Sequence, residues 1–423
     1  MTPTTPPTRP HLRSRPAQPA RPTLLFYCQH SLGLGHLARA LMLTEALQVS
    51  FDVVLLNGGR LPPGIRVPPG VEVVDLPSMG QDMAFNRLVS HEPTMSVAEA
   101  QARRQRLVME TFDRVRPQVL FIELYPFGRK AFEFELLPLL EAVAARGAAR
   151  PKVLCSLRDI LVNGRVAQVQ HDEWVSRRAN AFFDGILVHS DPTFARLEES
   201  FRPETPLQVP VYYTGFVAPP APTSPVHRHQ RLLVSSGGGI VGEPLVRAAV
   251  NVHAALQADT GLTTTVVAGP FLPQPVWAWL QAEAERSPAL TAIRHVPDLA
   301  HEIRCSALSL SQGGYNTTMD LLRAGTPAVV VPYSEGDENE QGRRARRLAE
   351  LGVLRVVPPA ELRPDRLLAE LLGALASRPQ VVPLNLEGAG ATARILGELL
   401  GNPLDELAGP NTKPSPRMTG EVA

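Results

Sequence analysis

Cysteine is scarce: Cys28, Cys155 and Cys305 are the only three in 423 residues, and they lie far apart in apolar runs. That spacing supports neither a disulfide framework nor a zinc site and points to buried thiols in a reducing cytosol. Charge of one sign is missing as well. The 42 Lys and Arg almost cancel the 41 Asp and Glu, which leaves no overall field to hold a polyanion and argues against nucleic acid as a partner. No apolar run approaches the ~18 residues that a membrane span needs. Residues 1–22 are rich in Pro, Thr and Arg without an apolar centre, and they predict a disordered tail rather than a signal peptide. Residues 403–423 read as a second such tail.

What is present is a rhythm of apolar runs. The length exceeds the roughly 100–200 residues of one domain, so two substantial domains are expected. Runs at 24–28, 53–56, 71–76, 119–122, 153–157 and 186–188 alternate with helix-length segments, among them 36–48. Near-continuous Val, Leu and Ile runs spaced in this way predict a parallel sheet covered on both faces, a doubly wound α/β domain. The Pro-rich stretch around 217–229 interrupts the series. A second series follows at 232–235, 264–268, 308–310, 328–331 and 354–357. The expected division is a first domain over 23–217, a linker over 218–229, a second domain over 230–385 and a closing helix over 386–402.

The second series carries the most informative stretch. Gln312-Gly313-Gly314-Tyr315-Asn316-Thr317-Thr318 runs out of an apolar strand into a helix. The glycine pair permits close backbone approach to a ligand, and Asn316, Thr317 and Thr318 are natural caps. Free N–H groups at such a helix start form an anion site, and Asp320, about one turn further on, is placed to accept hydrogen bonds from a ribose diol. Glu340 and Gln341, beyond another buried strand, are candidates for reading sugar hydroxyls. Upstream, Gly237, Gly238 and Gly239 follow the strand at 232–235, where successive glycines let N–H groups converge on a diphosphate. The spacing is neither a Walker loop nor a full dinucleotide fingerprint.

In the first series the opening strand ends in a Gly33-Leu34-Gly35-His36 turn. His36 is thereby placed at a helix N-terminus on the carboxyl edge of the sheet, where open α/β folds bind ligands. A positive helix end and partial burial favour the neutral imidazole that a general base requires, although a packing or binding role suits the same position. Glu123, at the end of the run 119–122, is the natural group to hold the second ring nitrogen, or else a structural or acceptor-binding residue. Ser156, Arg158, Asp159 and His189 are further strand-end residues. Phe127, Arg129, Lys130, Phe132 and Phe134 set aromatics beside basic residues, a pattern of weak peripheral membrane contact as well as of helix packing.

The run 312–320, followed by Gly325-Thr326-Pro327 and Glu340-Gln341, resembles the donor-binding signature of the GT-B glycosyltransferases. There a His-Cys-Gly-Trp-Asn-Ser-Thr-Leu-Glu stretch precedes a Gly-x-Pro strand and an acidic-Gln pair. Gly314, Asn316, Thr317 and Thr318 keep the residue or its type, Tyr315 replaces the aromatic, Asp320 replaces Glu, and Glu340 and Gln341 keep the last pair. Three positions depart. Gln312 stands where many members have a phosphate-contacting His, Arg344 where a final Asn is usual, and Arg39 where a Pro follows the Gly-His element. The pattern is closest to bacterial members of the family 28 C-terminal-domain type, the branch that includes the N-acetylglucosaminyltransferase of peptidoglycan synthesis.

The resemblance implies two Rossmann-like domains facing a cleft, with the closing helix crossing back to the first domain. It implies inverting, metal-independent transfer of a hexosyl group from a nucleotide-diphosphosugar, a UDP-sugar, to an acceptor hydroxyl. No tightly bound cofactor is expected, and the setting is cytoplasmic. His36 and Glu123 are the catalytic candidates, the 237–239 and 312–320 residues with Glu340 and Gln341 the donor-binding ones, and the segment 294–298 lies where relatives hold the nucleobase. A sugar-nucleotide hydrolase or epimerase, or an inactive nucleotide-sugar-binding protein, is compatible with the same pocket.

Overall fold

A computed structural model describes residues 21–30, 35–61, 65–81, 87–162, 165, 167–221, 226–333 and 339–401. Most of both terminal tails, Gly33 in the Gly-x-Gly-His turn and residues 222–225 of the linker lie outside the described residues. The first domain contains β1 (Thr23–Cys28), β2 (Asp52–Asn57), β3 (Glu72–Asp75), β4 (Met79–Gln81), β5 (Leu88–Ser90), β6 (Val119–Glu123), β7 (Lys152–Arg158), β8 (Gly185–His189) and β9 (Val211–Tyr213). All but β4 and β5, which form a small antiparallel hairpin, join one parallel sheet in the order β3-β2-β1-β6-β7-β8-β9. Its helices are α1 (Gly35–Leu47), α2 (Val97–Val115), α3 (Glu133–Ala145) and α4 (Gln168–Phe182). The inner strands are apolar along their length because helices cover both faces. Phe26 on β1 and Phe121 on β6 lie in register, with ring centroids 4.8 Å apart.

The second sheet is also parallel, in the order β12-β11-β10-β13-β14-β15. These strands are β10 (His229–Ser235), β11 (Thr263–Val267), β12 (Leu290–Ile293), β13 (Ser306–Ser311), β14 (Ala328–Val330) and β15 (Arg355–Val356). They alternate with α5 (Glu243–Thr260), α6 (Gln274–Arg286), α7 (Leu299–Arg304), α8 (Tyr315–Ala324), α9 (Glu340–Glu350) and α10 (Pro364–Ala376). In each sheet the strand order reverses once beside the first strand, at β1/β6 and at β10/β13. Such a reversal opens a crevice outside the carboxyl ends of the strands. All the catalytic candidates and all the glycine-rich segments sit at these two reversals.

The last helix, α11 (Gly388–Leu399), returns to the first domain and packs on α1, with Ala393 and Leu396 joining a core that contains Leu37, Leu41 and Leu43. A bridge between Val217 and Glu387 ties the outgoing and returning chain together. Phe127 and Phe132 are buried in the core of the first domain, and Phe134 packs against it from a half-buried position. Their burial supports helix packing for this segment. Among the described residues no helix is long and apolar enough to cross a membrane.

Two glycines in α11 behave oppositely. A Cβ on Gly388 would lie 2.3 Å from the Gly215 carbonyl oxygen and 2.7 Å from Phe216 backbone atoms, whereas a Cβ on Gly390 meets nothing within 4 Å. Gly388→Ala should therefore destabilise the protein by about 1–3 kcal/mol, as overpacking against backbone does. Gly390→Ala should be neutral or stabilise by up to about 1 kcal/mol through helix propensity. Chemical denaturation of both variants checks this, and equal midpoints would contradict the tight crossing at Gly388.

Candidate functional site

On the first-domain side, α1 follows β1 directly and brings His36 opposite the end of β6. His36 Nδ1 lies 2.6 Å from Glu123 Oε1, so the pair is in hydrogen-bond contact although Glu carries one methylene more than Asp. Glu123 is buried and surrounded by cations: Arg39 Nη2 donates to the same Oε1, and Arg129 Nη2 stands 3.7 Å from Oε2. Burial opposes ionisation of Glu123, but the His36 ring, Arg39 and Arg129 together outweigh it and hold the carboxyl well below the usual carboxylate range. Burial, helped by the positive charges of Arg129 and Arg158, pushes the His36 ring down to about 3 against the pull of Glu123. The pair is therefore a neutral imidazole facing an ionised carboxylate. Nδ1 carries the hydrogen and donates it to Glu123, which leaves the Nε2 lone pair as the basic site.

On the second-domain side, the loop after β10 turns through Gly237 and Gly239, both at positive φ. The glycine at 239 is obligatory, since a Cβ there would stand 2.4 Å from the Ala268 carbonyl oxygen. The N–H groups of Gly239 and Gly242 are consumed by the Ser236 and Gly239 carbonyls. Those of Gly237 and Gly238 take no partner among the described residues. Gln312 does not replace a phosphate-binding His in kind: its side-chain amide donates to the Val241 carbonyl at 3.1 Å. It thereby pins the glycine loop to the end of β13. Gly313 is close-packed, a Cβ there reaching within 3.1 Å of Val330, while a Cβ on Gly314 meets nothing within 4 Å.

The helix start differs from the expectation in its caps. Gly314 is the N-cap, without a side-chain capping bond. Asn316, half-buried, instead donates from Nδ2 to the Gly35 carbonyl of the first domain at 2.9 Å. Thr318 is buried and turns its hydroxyl back onto the Gly314 carbonyl at 2.9 Å, so it does not face a ligand. Thr317 is half-buried. The first N–H groups of α8 remain for an anion, as the four leading donors of any helix do. Asp320 is half-buried rather than exposed. Burial, reinforced by Asp298, raises its carboxyl to about 7.

Tyr315 and Glu340, expected at the donor, are used between the domains. Tyr315 is buried; its hydroxyl donates to the His189 carbonyl at 3.0 Å and accepts from the Val217 N–H at 3.1 Å. Glu340 is buried against Arg158 of the first domain at 2.6 Å. Gln341 accepts from the Tyr333 N–H at 3.1 Å. Arg344, at the position of the usual Asn, is completely buried; its Nε and Nη2 each donate to Asp159 at 2.7 Å, and Nη1 donates to the Gly313 carbonyl at 3.1 Å. His189 is likewise structural, held at 2.8 Å by Ser156 and at 2.9 Å by Thr214. Sequence reasoning missed the side-chain roles of Arg39, Asp159 and Arg344. The departures at 39 and 344 were the available signal, since both place a long cation where relatives have a small or uncharged residue.

Comparison with known proteins agrees with this fold. Residues 237–389 match the model of the glycosyltransferase family 28 C-terminal domain. The UDP-N-acetylglucosamine--N-acetylmuramyl-(pentapeptide) pyrophosphoryl-undecaprenol N-acetylglucosamine transferase of Rhizobium rhizogenes is 30% identical over 111 residues, 26% of this chain and 30% of that protein. The chain thus spans about a third of the length of the curated relative it matches. The calicheamicin glycosyltransferase CalG4 superposes with a TM-score of 0.56 at 17% identity, over 92% of this chain and 100% of that one. MurG of Acinetobacter baumannii does so with a TM-score of 0.51 at 17% identity, over 90% and 99%. Two parallel sheets meeting across their strand reversals give this chain the fold of these glycosyltransferases, and residues 237–389 carry its likeness to the family 28 C-terminal domain.

Proposed function

We propose that the protein transfers a hexosyl group from a nucleotide-diphosphosugar to an acceptor hydroxyl, with inversion and without a bound metal. The observation that carries this reading is the His36–Glu123 pair, docked through Gly35 onto the start of α8. In the proposed step the acceptor hydroxyl gives its proton to His36 Nε2 while its oxygen bonds to the anomeric carbon. The bond from that carbon to the diphosphate breaks, and the leaving charge meets the N–H groups of α8 and of the 237–239 loop. One displacement without a covalent intermediate inverts the anomeric centre. Glu123 keeps the ring in the required tautomer and stabilises the imidazolium as it forms.

A UDP-sugar is the proposed donor, in line with the UDP-N-acetylglucosamine in the relative's name. Asp320 is assigned to the ribose diol, and a carboxyl near its midpoint at neutral pH is able to accept from one hydroxyl and donate to another. The cytosol is the proposed setting, consistent with three unpaired, buried thiols.

His36→Ala should lower single-turnover transfer by about 10²–10⁴ while nucleotide affinity changes little, because proton removal and donor capture sit in different domains. Glu123→Gln should give a smaller loss of the same kind. Rapid-quench kinetics with a circular-dichroism fold check measures both, and near-normal transfer in His36→Ala would rule out the general base. Asp320→Ala should weaken nucleotide binding by roughly tenfold to a hundredfold, about 1.4–2.7 kcal/mol, the scale of two hydrogen bonds to the diol. Unchanged affinity by titration calorimetry would remove Asp320 from the site.

A further inference from the structure

Arg39 stands one turn after His36 on α1, so the two side chains share a face. It is 2% exposed and lies at the centre of a chain of groups that crosses the cleft. Its Nη2 donates to Glu123 Oε1, the oxygen that also receives His36 Nδ1, and stands 3.4 Å from that nitrogen. Its guanidinium carbon lies 5.3 Å from the centre of the Tyr315 ring, the first residue of α8. Among the described residues the two other fully buried arginines engage every guanidinium nitrogen. Arg104 donates to Glu135, Gln29, Tyr27 and the Gly58 and Pro77 carbonyls, and Arg344 donates to Asp159 and the Gly313 carbonyl. Arg39 Nε, by contrast, is buried without a hydrogen-bond partner. A buried cation that is incompletely hydrogen-bonded is a poor structural brace, because its desolvation is only partly offset.

We propose that Arg39 is a positioning residue for transfer: it fixes the Glu123 carboxylate against His36 and couples that geometry to the docked donor helix through Tyr315. This rests on the function proposed above. The charges facing His36 are Glu123 from β6, Arg129 from the turn after it, Arg158 from the end of β7 and Arg39 from α1 itself. With Arg39 removed, one of the cations offsetting Glu123 is lost, so the carboxylate pulls a proton onto His36 more strongly and the ring becomes easier to protonate. Lysine keeps the charge but lacks the planar guanidinium that reaches Glu123 through one nitrogen while lying against the Tyr315 ring.

The test compares wild type, Arg39→Gln and Arg39→Lys by single-turnover transfer against pH, by nucleotide affinity, and by ¹⁵N NMR of the His36 ring, with thermal unfolding as the fold check. In Arg39→Gln, transfer should fall about tenfold to a hundredfold. His36 should protonate at a higher pH than in wild type, with donor affinity retained. Arg39→Lys should keep a neutral ring and lose roughly tenfold in rate. A folded Arg39→Gln whose ring titrates as in wild type and whose transfer rate matches wild type would overturn the proposal. If Arg39→Gln fails to fold, a wild-type rate in Arg39→Lys overturns it. Absence of transfer by wild type from any sugar nucleotide would sink the transferase reading instead, and the ring NMR would still decide whether Arg39 sets the state of His36.

Discussion

The Asp159–Arg344 pair decides how the two domains meet, and the cleft depends on it. Both side chains are fully buried, and both carboxylate oxygens are occupied by one guanidinium fork. Withdrawing two charges from water costs several kcal/mol per ion, and only close bidentate geometry with further hydrogen bonds offsets it. The third donated bond, to the Gly313 carbonyl, supplies that supplement and carries the consequence into the donor site. Gly313 immediately precedes the N-cap of α8, so the pair sets the position of the helix start relative to the first domain. Apolar contacts alone would leave the docking angle loose. Ile160, Phe194 and Phe216 of the first domain do cluster with Tyr315, Met319 and Leu348 of the second, but such packing is non-directional.

The ionic neighbourhood of His36 follows from the same docking. Arg158, adjacent to Asp159, is neutralised by Glu340 of the second domain, while Arg129 and Arg39 both face Glu123. A carboxylate with two guanidinium neighbours stays ionised when buried, and an imidazole beside that carboxylate is fixed in one tautomer without being forced to protonate. Either charge alone would fail. Without cations Glu123 would take a proton and lose its hold on Nδ1, and without the carboxylate the ring would have no preferred tautomer.

Much of this was legible in the sequence, and the remainder has identifiable causes. The central strands could be read because burial on both faces demands runs such as Leu24–Cys28 and Val119–Ile122 without interruption. The edge strands Val211–Tyr213 and Leu290–Ile293 escaped, since a short, partly exposed strand needs no such run. The proximity of His36 and Glu123 was readable because the helix after β1 starts, and β6 ends, on the same sheet edge at a reversal of strand order. What could not be read is which of two buried surfaces a side chain in a motif serves. Tyr315, Asn316 and Glu340 match a donor signature in sequence, yet they reach the first domain through His189, Gly35 and Arg158. Those partners lie 126, 281 and 182 residues away along the chain, beyond any local pattern.

The two halves of the site are built from different materials, and that difference explains where the sequence departs from its relatives. In the proposed site the donor half is backbone: the N–H groups of Gly237 and Gly238, which take no partner among the described residues, the start of α8, and the Gln312 amide that holds the two loops together. Backbone donors require only that glycines remain where a Cβ would collide, as at Gly239, so replacing a phosphate-binding His by Gln leaves the anion site standing. The acceptor half relies on side chains, where one atom's charge sets the state of the next. A Glu at 123 reaches further than an Asp, and Arg39 sits where that longer carboxylate needs a counter-charge. The acid and the arginine occupy one buried volume, and each partly offsets the cost of burying the other.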